Sequence, residues 1–143
     1  MKTSKNRRDT VHIEVARANQ ACVMVLERFT GMSAARWRIL HYLDEHSCMT
    51  QKELVQRSGF DSWTVTRTVK PLEAGGLIER SHDPDDNRVT QVRLSEKGRR
   101  FFREAEARRK QFLRQAFKSI SEEEIKTLTC LLQKVEQCLV GEP

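Results

Sequence analysis

No uninterrupted apolar run in this 143-residue chain exceeds the six residues 21–26, far short of the ~20 that a helix needs to cross a bilayer. A membrane span is thereby excluded. The charged opening, with Lys2, Lys5, Arg7 and Arg8, is not followed by the apolar core of a secretion signal, so a cytoplasmic protein is expected. Those four cations read first as a solvated tail and second as an arm for DNA. Cys22, Cys48, Cys130 and Cys138 form no C-x-x-C pair and have no histidine at zinc-ligand spacing, so neither a metal site nor a cofactor is expected. They are expected as small buried apolar side chains, with redox sensing at Cys22 or Cys138 as the alternative. Glycine-rich phosphate loops and Ser/His/Asp or Cys/His sets at usable spacing are also missing, which argues against an enzyme.

Charge is plentiful: 26 Lys and Arg against 20 Asp and Glu give +6 and a pI near 9.4, which suggests a polyanionic partner. The excess is uneven. Segments 1–49, 50–94, 95–118 and 119–143 carry +3, 0, +6 and −3, so the basic surface is concentrated on one segment. One domain is expected at this length.

Residues 9–30 place Val11, Val15, Ala18, Cys22, Val25 and Phe29 at steps of three and four, beside a second row of Ala16, Val23 and Leu26. A helix with so wide an apolar surface is buried on more than one side, which in a small protein points to a partner subunit. Gly31 should end it, and Ser33 should cap a second helix carrying Trp37, Leu40 and Leu43. Thr50 and Glu53 have the spacing of a capping box that starts a third helix. Gly59 supplies a stop, and Asp61 or Ser62 can cap a fourth. In that fourth helix Val65, Val69 and Leu72 share one face and leave Trp63, Thr66, Arg67 and Lys70 on the other. Pro71 should kink it near its end, and Gly75-Gly76 should terminate it. The pair reads as a helix-turn-helix.

Two strand-like runs follow, 77–80 and 89–94, joined by "DPDDN", which is turn chemistry. A hairpin behind a helix-turn-helix is a wing. Its aspartates have two expected uses: accepting backbone amides within the turn, and Asp86 holding Arg88 or a neighbouring arginine.

The stretches "MSAARWRIL", "MTQKELVQRSGF", "WTVTRTVKPLEAGGLIER", "DPDDNRVTQVRLSEKG" and "ISEEEI" occur in one order over residues 32–139, and in that order and spacing the chain resembles the MarR family of bacterial winged-helix transcriptional regulators. The resemblance implies a mainly α (α+β) fold: a winged helix-turn-helix with N- and C-terminal dimerisation helices, interlocked in a homodimer on a palindromic operator. It implies that residues 62–70 form the major-groove helix, with Ser62, Trp63, Thr64, Thr66, Arg67 and Lys70 facing double-stranded DNA. Asn87 and Arg88 then form the wing tip, with Arg88 entering the minor groove. Asn87 stands where the family commonly carries a basic residue. The resemblance further implies a small aromatic or anionic effector between the dimer helices and the winged region, near Trp37 and His41; packing in the core is the other reading of both.

Independently of the family, Ile125, Leu128, Leu132, Val135 and Leu139 repeat at three and four, a heptad seam for an intersubunit interface. The preceding helix, 96–118, carries Phe102, Ala105, Phe112 and Ala116 beside its basic face. The expected organisation is 1–32 as a dimerisation helix, 33–94 as the DNA-binding region and 95–143 as dimerisation helices. The expected function is a ligand-responsive dimeric repressor. A winged-helix module that binds protein is the rival, because segment 50–94 carries no net charge.

Overall fold

Each helix begins where a side chain is available to accept the amide protons that a first turn leaves unpaired. In the computed structural model, which describes residues 6–141, Asn6 caps α1 (Arg7–Thr30), Ser33 caps α2 (Ala34–His46), and Thr50 caps α3 (Gln51–Ser58). Asp61 caps α4 (Ser62–Ala74), and Ser121 caps α6 (Glu122–Val140). The Thr50–Glu53 and Ser121–Glu124 pairs are reciprocal capping boxes. α5 spans Glu96–Ala116, with the Ser95 hydroxyl accepting from the Gly98 amide. The helical ends follow the sequence reading closely, and α4 continues through Pro71 for three more residues.

Three strands form one antiparallel sheet in the order β1-β3-β2: β1 is Met49–Thr50, β2 is Ile78–His82 and β3 is Thr90–Leu94. β2 and β3 are the expected hairpin, in register from Ile78 opposite Leu94 to His82 opposite Thr90. β1 is a strand that the sequence reading lacks. Met49 pairs with Val92 and Thr50 with Gln91, so the residue that caps α3 is also stitched to the root of the wing.

The chain divides into two compact units, Met1–Arg109 and Lys110–Pro143. In the first, Ile39, Leu40 and Leu43 of α2 meet Leu54 of α3, Val65, Val69 and Leu72 of α4, Ile78, Val92 and Leu94 of the sheet, and Phe102 of α5. All of these are essentially inaccessible, each contributing roughly 1.5–3 kcal/mol of transfer free energy. The three inward residues of α4 are the ones its periodicity assigns to the core.

The end of α4 is tied to the start of α5 through backbone carbonyls. The Ser95 hydroxyl donates to the Gly76 carbonyl, the Ser95 amide to that of Leu77 at 3.1 Å, and the Lys97 ammonium to that of Gly75 at 2.9 Å. Gly98 lies so close that a Cβ built on it would fall 1.8 Å from the Leu77 oxygen. Only glycine fits that approach.

Two expectations fail. The four cysteines are exposed rather than buried: Cys22 lies on α1, and Cys130 and Cys138 on α6, helices whose apolar faces the single chain leaves largely open, while Cys48 sits at the sheet's edge beside β1. Second, among the described residues Asp86 holds no arginine side chain. Its carboxylate accepts the Arg88 backbone amide at 3.0 Å, because an amide two residues away is already in place and costs no side-chain entropy to reach. Of the N-terminal cations, Arg7 and Arg8 open α1; Lys2 and Lys5 lie outside the described residues.

Replacing Gly98 with alanine forces the start of α5 away from the Leu77 carbonyl. Overpacking of this kind costs typically 1–3 kcal/mol and occasionally more, and here the obstacle is backbone. Urea denaturation of Gly98→Ala should show a loss of about 3 kcal/mol. A loss below about 0.5 kcal/mol, the level of an ordinary surface change, would mean that the clamp yields freely.

Candidate nucleic-acid interface

α3 and α4 are joined by a three-residue turn that opens at Gly59, whose φ of 71° is a left-handed conformation that side chains resist. The Gln51 side chain then reaches across to donate to the Thr66 hydroxyl at 2.6 Å, fixing one helix on the other. The start of α4 is held by Asp61, which accepts both the Thr64 amide at 2.8 Å and the Thr64 hydroxyl at 3.0 Å. These two bonds stabilise the ionised carboxylate and hold its pKa below the usual aspartate range, the backbone bond contributing most.

With its inner face in the core, α4 turns Ser62, Trp63, Arg67 and Lys70 to solvent. Trp63 is 66% exposed, an unusual place for an indole. The Arg67 guanidinium lies over its ring, 4.9 Å from the centroid, a cation–π contact that narrows the rotamers of a flexible cation. Thr64 and Thr66 are half-buried, and the bonds to Asp61 and Gln51 occupy both hydroxyls. Both hydroxyls thereby help to fix the helix, the Thr66 hydroxyl as acceptor and the Thr64 hydroxyl as donor. The far end of α4 is anchored by Glu73, paired with Arg80 of β2 at 2.9 Å.

The wing turn is built from its acids. Asp83 accepts the Asp85 amide at 2.8 Å, Asp86 accepts that of Arg88, and backbone bonds join Asp83 to Val89 and Val89 to Asp86. Asn87 and Arg88 stand exposed at the tip, and among the described residues no carboxylate pairs with the Arg88 guanidinium. Behind the tip runs a chain that sequence reasoning missed: the Cys48 thiol donates to the Gln91 carboxamide oxygen at 3.0 Å, and the Gln91 amide donates to Asp83. Its only sequence signal was the alternation of β3, which puts Gln91 on the same face as Arg93. The pairing of Cys48 with β3 is non-local.

Comparison with known proteins fits this geometry. The MarR family model matches residues 32–90, from the start of α2 to the far side of the wing. A Bacillus subtilis protein described as an uncharacterized HTH-type transcriptional regulator, YdgJ, is 31% identical over 117 residues, covering 82% of this chain and 71% of its own length. The chain belongs to the MarR family. Among solved structures, a mutant of Escherichia coli MarR complexed with operator DNA superposes with a TM-score of 0.80 at 25% identity, over 92% of this chain and 99% of that one. Bordetella bronchiseptica BpsR, described with regulation of its DNA binding by 6-hydroxynicotinic acid, gives 0.79 at 25% identity over 89% and 98%. The winged-helix fold expected from the resemblance is therefore shown.

Trp37 and His41, placed near an effector by the resemblance to the MarR family, are brought together but used differently. Their rings stack at 4.8 Å with 11° between planes. Trp37 lines a cavity of about 140 Å³ with Cys22, Leu26, Arg38 and Arg109 among its walls; His41 does not reach it. The Trp37 indole donates to Glu106 at 3.1 Å, Glu106 also holds Arg109, and the Arg109 guanidinium lies 4.6 Å from the indole centroid. Arg38 and Arg109 had no sequence signal beyond charge.

Because ionised Asp61 is the capping form, its folded pKa lies below its unfolded one. The stability it confers is therefore complete above the unfolded value and is lost as pH falls through the lowered folded value. Carboxyl-carbon NMR should place the Asp61 midpoint below an ordinary aspartate's. Thr64→Ala, which removes the hydroxyl bond and keeps the amide, should raise it part of the way. A midpoint unmoved in that variant would leave the backbone amide as the sole cause.

Proposed function

We propose that this MarR-family regulator is a dimeric repressor that reads a palindromic operator with α4 in the major groove and Arg88 of the wing in the adjacent minor groove. The observation that carries the reading is the outer face of α4: a tryptophan-stacked arginine and Lys70, on a helix whose other face is locked into the core. An arginine held in that way can bond bidentately to the O6 and N7 of guanine, a geometry lysine cannot reproduce. Arg88 has the charge and exposure to enter a narrow, A·T-rich minor groove. Occupation of the operator blocks the same duplex to other proteins, which makes repression the simplest output.

The dimer rests on apolar surface that the single chain leaves open. On α6, Leu128, Leu132 and Leu139 are 49, 44 and 70% exposed, Ile125 and Val135 are half-buried, and no residue is fully buried. On α1, Val11, Ile13 and Met24 are also exposed. Exposed leucines at heptad spacing are what a partner helix covers, and residues 1–32 and 95–143 are the segments we assign to that contact. A twofold dimer presents two reading helices to half-sites about one helical turn, ~34 Å, apart.

The cavity beside Trp37 suits a small ligand bearing an acid group, which would compete with Glu106 for Arg109. The rival reading, a winged helix that binds protein, is separated by salt: DNA affinity should fall with a slope of about −0.9 per neutralised phosphate.

Selection from random duplex DNA supplies the probe. Against the selected duplex and its single-base variants, Arg67→Lys and Arg67→Ala should both lose about 1–3 kcal/mol of discrimination at one base pair. Retention of the wild-type base preference by Arg67→Lys would remove Arg67 from base reading. For the dimer, Leu132→Asp sets a carboxylate in the seam at a cost of several kcal/mol if it remains charged; sedimentation should report monomer or misfolded chain. An intact, folded dimer of that variant would exclude the seam from the interface.

A further inference from the structure

A groove of about 510 Å³ runs between the start of α2 and the outer side of α4, walled by Ser33 and Arg36 on one side and by Trp63, Thr64, Arg67, Thr68 and Pro71 on the other. At ~30 Å³ per water it has room for more than a dozen waters, ample for a phosphodiester group. Its lining holds two guanidinium groups and no carboxylate. Thr64 and Thr68 already spend their hydroxyl protons, on Asp61 and on the Thr64 carbonyl respectively. The Ser33 hydroxyl oxygen accepts the Arg36 amide and leaves its own proton to give.

Two buried guanidinium Nε atoms, of Arg36 and Arg80, have no hydrogen-bond partner among the described residues; Arg80 is ion-paired with Glu73, and Arg36 has no such pair, although a buried donor left unpaired ordinarily costs about 1–3 kcal/mol. By contrast, its neighbour Arg38 donates to the Ser58 carbonyl and covers the Phe60 ring, and Arg67 rests on Trp63. An unpaired guanidinium in a carboxylate-free groove selects an anion. Because Trp63 and Arg67 belong both to this groove and to the outer face of α4, the groove opens on the surface assigned above to the duplex.

We propose that the groove receives a backbone phosphate of the bound duplex, with Arg36 as the principal ligand and the Ser33 hydroxyl as a second donor. The assignment rests on the DNA-binding reading and adds to it a contact from α2, outside the helix-turn-helix and the wing. A phosphate contact carries no sequence information; it fixes how deeply and at what angle α4 enters the groove.

The test uses the full-length protein and the duplex selected by it. Arg36→Ala should keep the wild-type order of preference among single-base variants, bind all of them more weakly, and lower the slope of log affinity against log salt by about one unit per subunit. Arg36→Gln serves if the alanine variant does not fold. Duplexes carrying one methylphosphonate each should show a position in every half-site where neutralisation costs the wild type severalfold and costs Arg36→Gln nothing further. An unchanged salt slope, or losses that multiply at every methylphosphonate position, would overturn the assignment. So would inorganic phosphate binding that depends on Arg36 yet leaves duplex affinity unchanged at matched ionic strength, which would make the groove a small-anion site. Wild-type protein that binds no duplex would instead defeat the DNA-binding reading itself, and with it this contact; that result appears before any variant is made.

Discussion

The Ser95 hydroxyl on the Gly76 carbonyl, with Gly98 pressed against Leu77, is the contact on which the rest of the winged helix depends. The carbonyls of Pro71, Leu72 and Glu73 at the end of α4 accept from the amides of Gly75, Leu77 and Gly76 respectively, and the carbonyls of Gly75, Gly76 and Leu77 beyond it accept in turn from Lys97 and Ser95 at the start of α5. The sheet hairpin between them is thereby closed at its base, and Glu73–Arg80 fastens the same corner from the other side. The far end of α4 is thereby held on two sides.

Local chemistry was readable in advance. Ser33, Thr50 and Asp61 cap as expected because a cap needs only its own next three residues. Val65, Val69 and Leu72 fell on the core side because their spacing admits no other helical face. What the sequence hid depends on distant partners. β1 is two residues long and exists only because β3 is there to pair with it. Gly98 looks like any helix-weakening glycine until Leu77 is brought beside it. Cys22, Cys130 and Cys138 are exposed for a related reason: burial depends on what else packs on α1 and α6, and helical spacing alone does not supply it.

The acids of the wing show the same division. Asp83 and Asp86 accept amides two residues ahead, as their turn propensity allows, while the expected hold on an arginine side chain is absent. The negative charge of the wing is spent on shaping the turn that carries Arg88. The residue that steadies this turn from behind, Gln91, was invisible because its two bonds run to Cys48 and Asp83, 43 and 8 positions away.

The complete separation of the two faces of α4 has a consequence for divergence. Val65, Val69 and Leu72 have no solvent exposure, whereas Trp63, Arg67 and Lys70 stand exposed on the opposite side. After gene duplication, one copy can therefore exchange its outer residues without first finding a compensating change in its interior. Regulatory wiring can drift while the scaffold that carries it stands still.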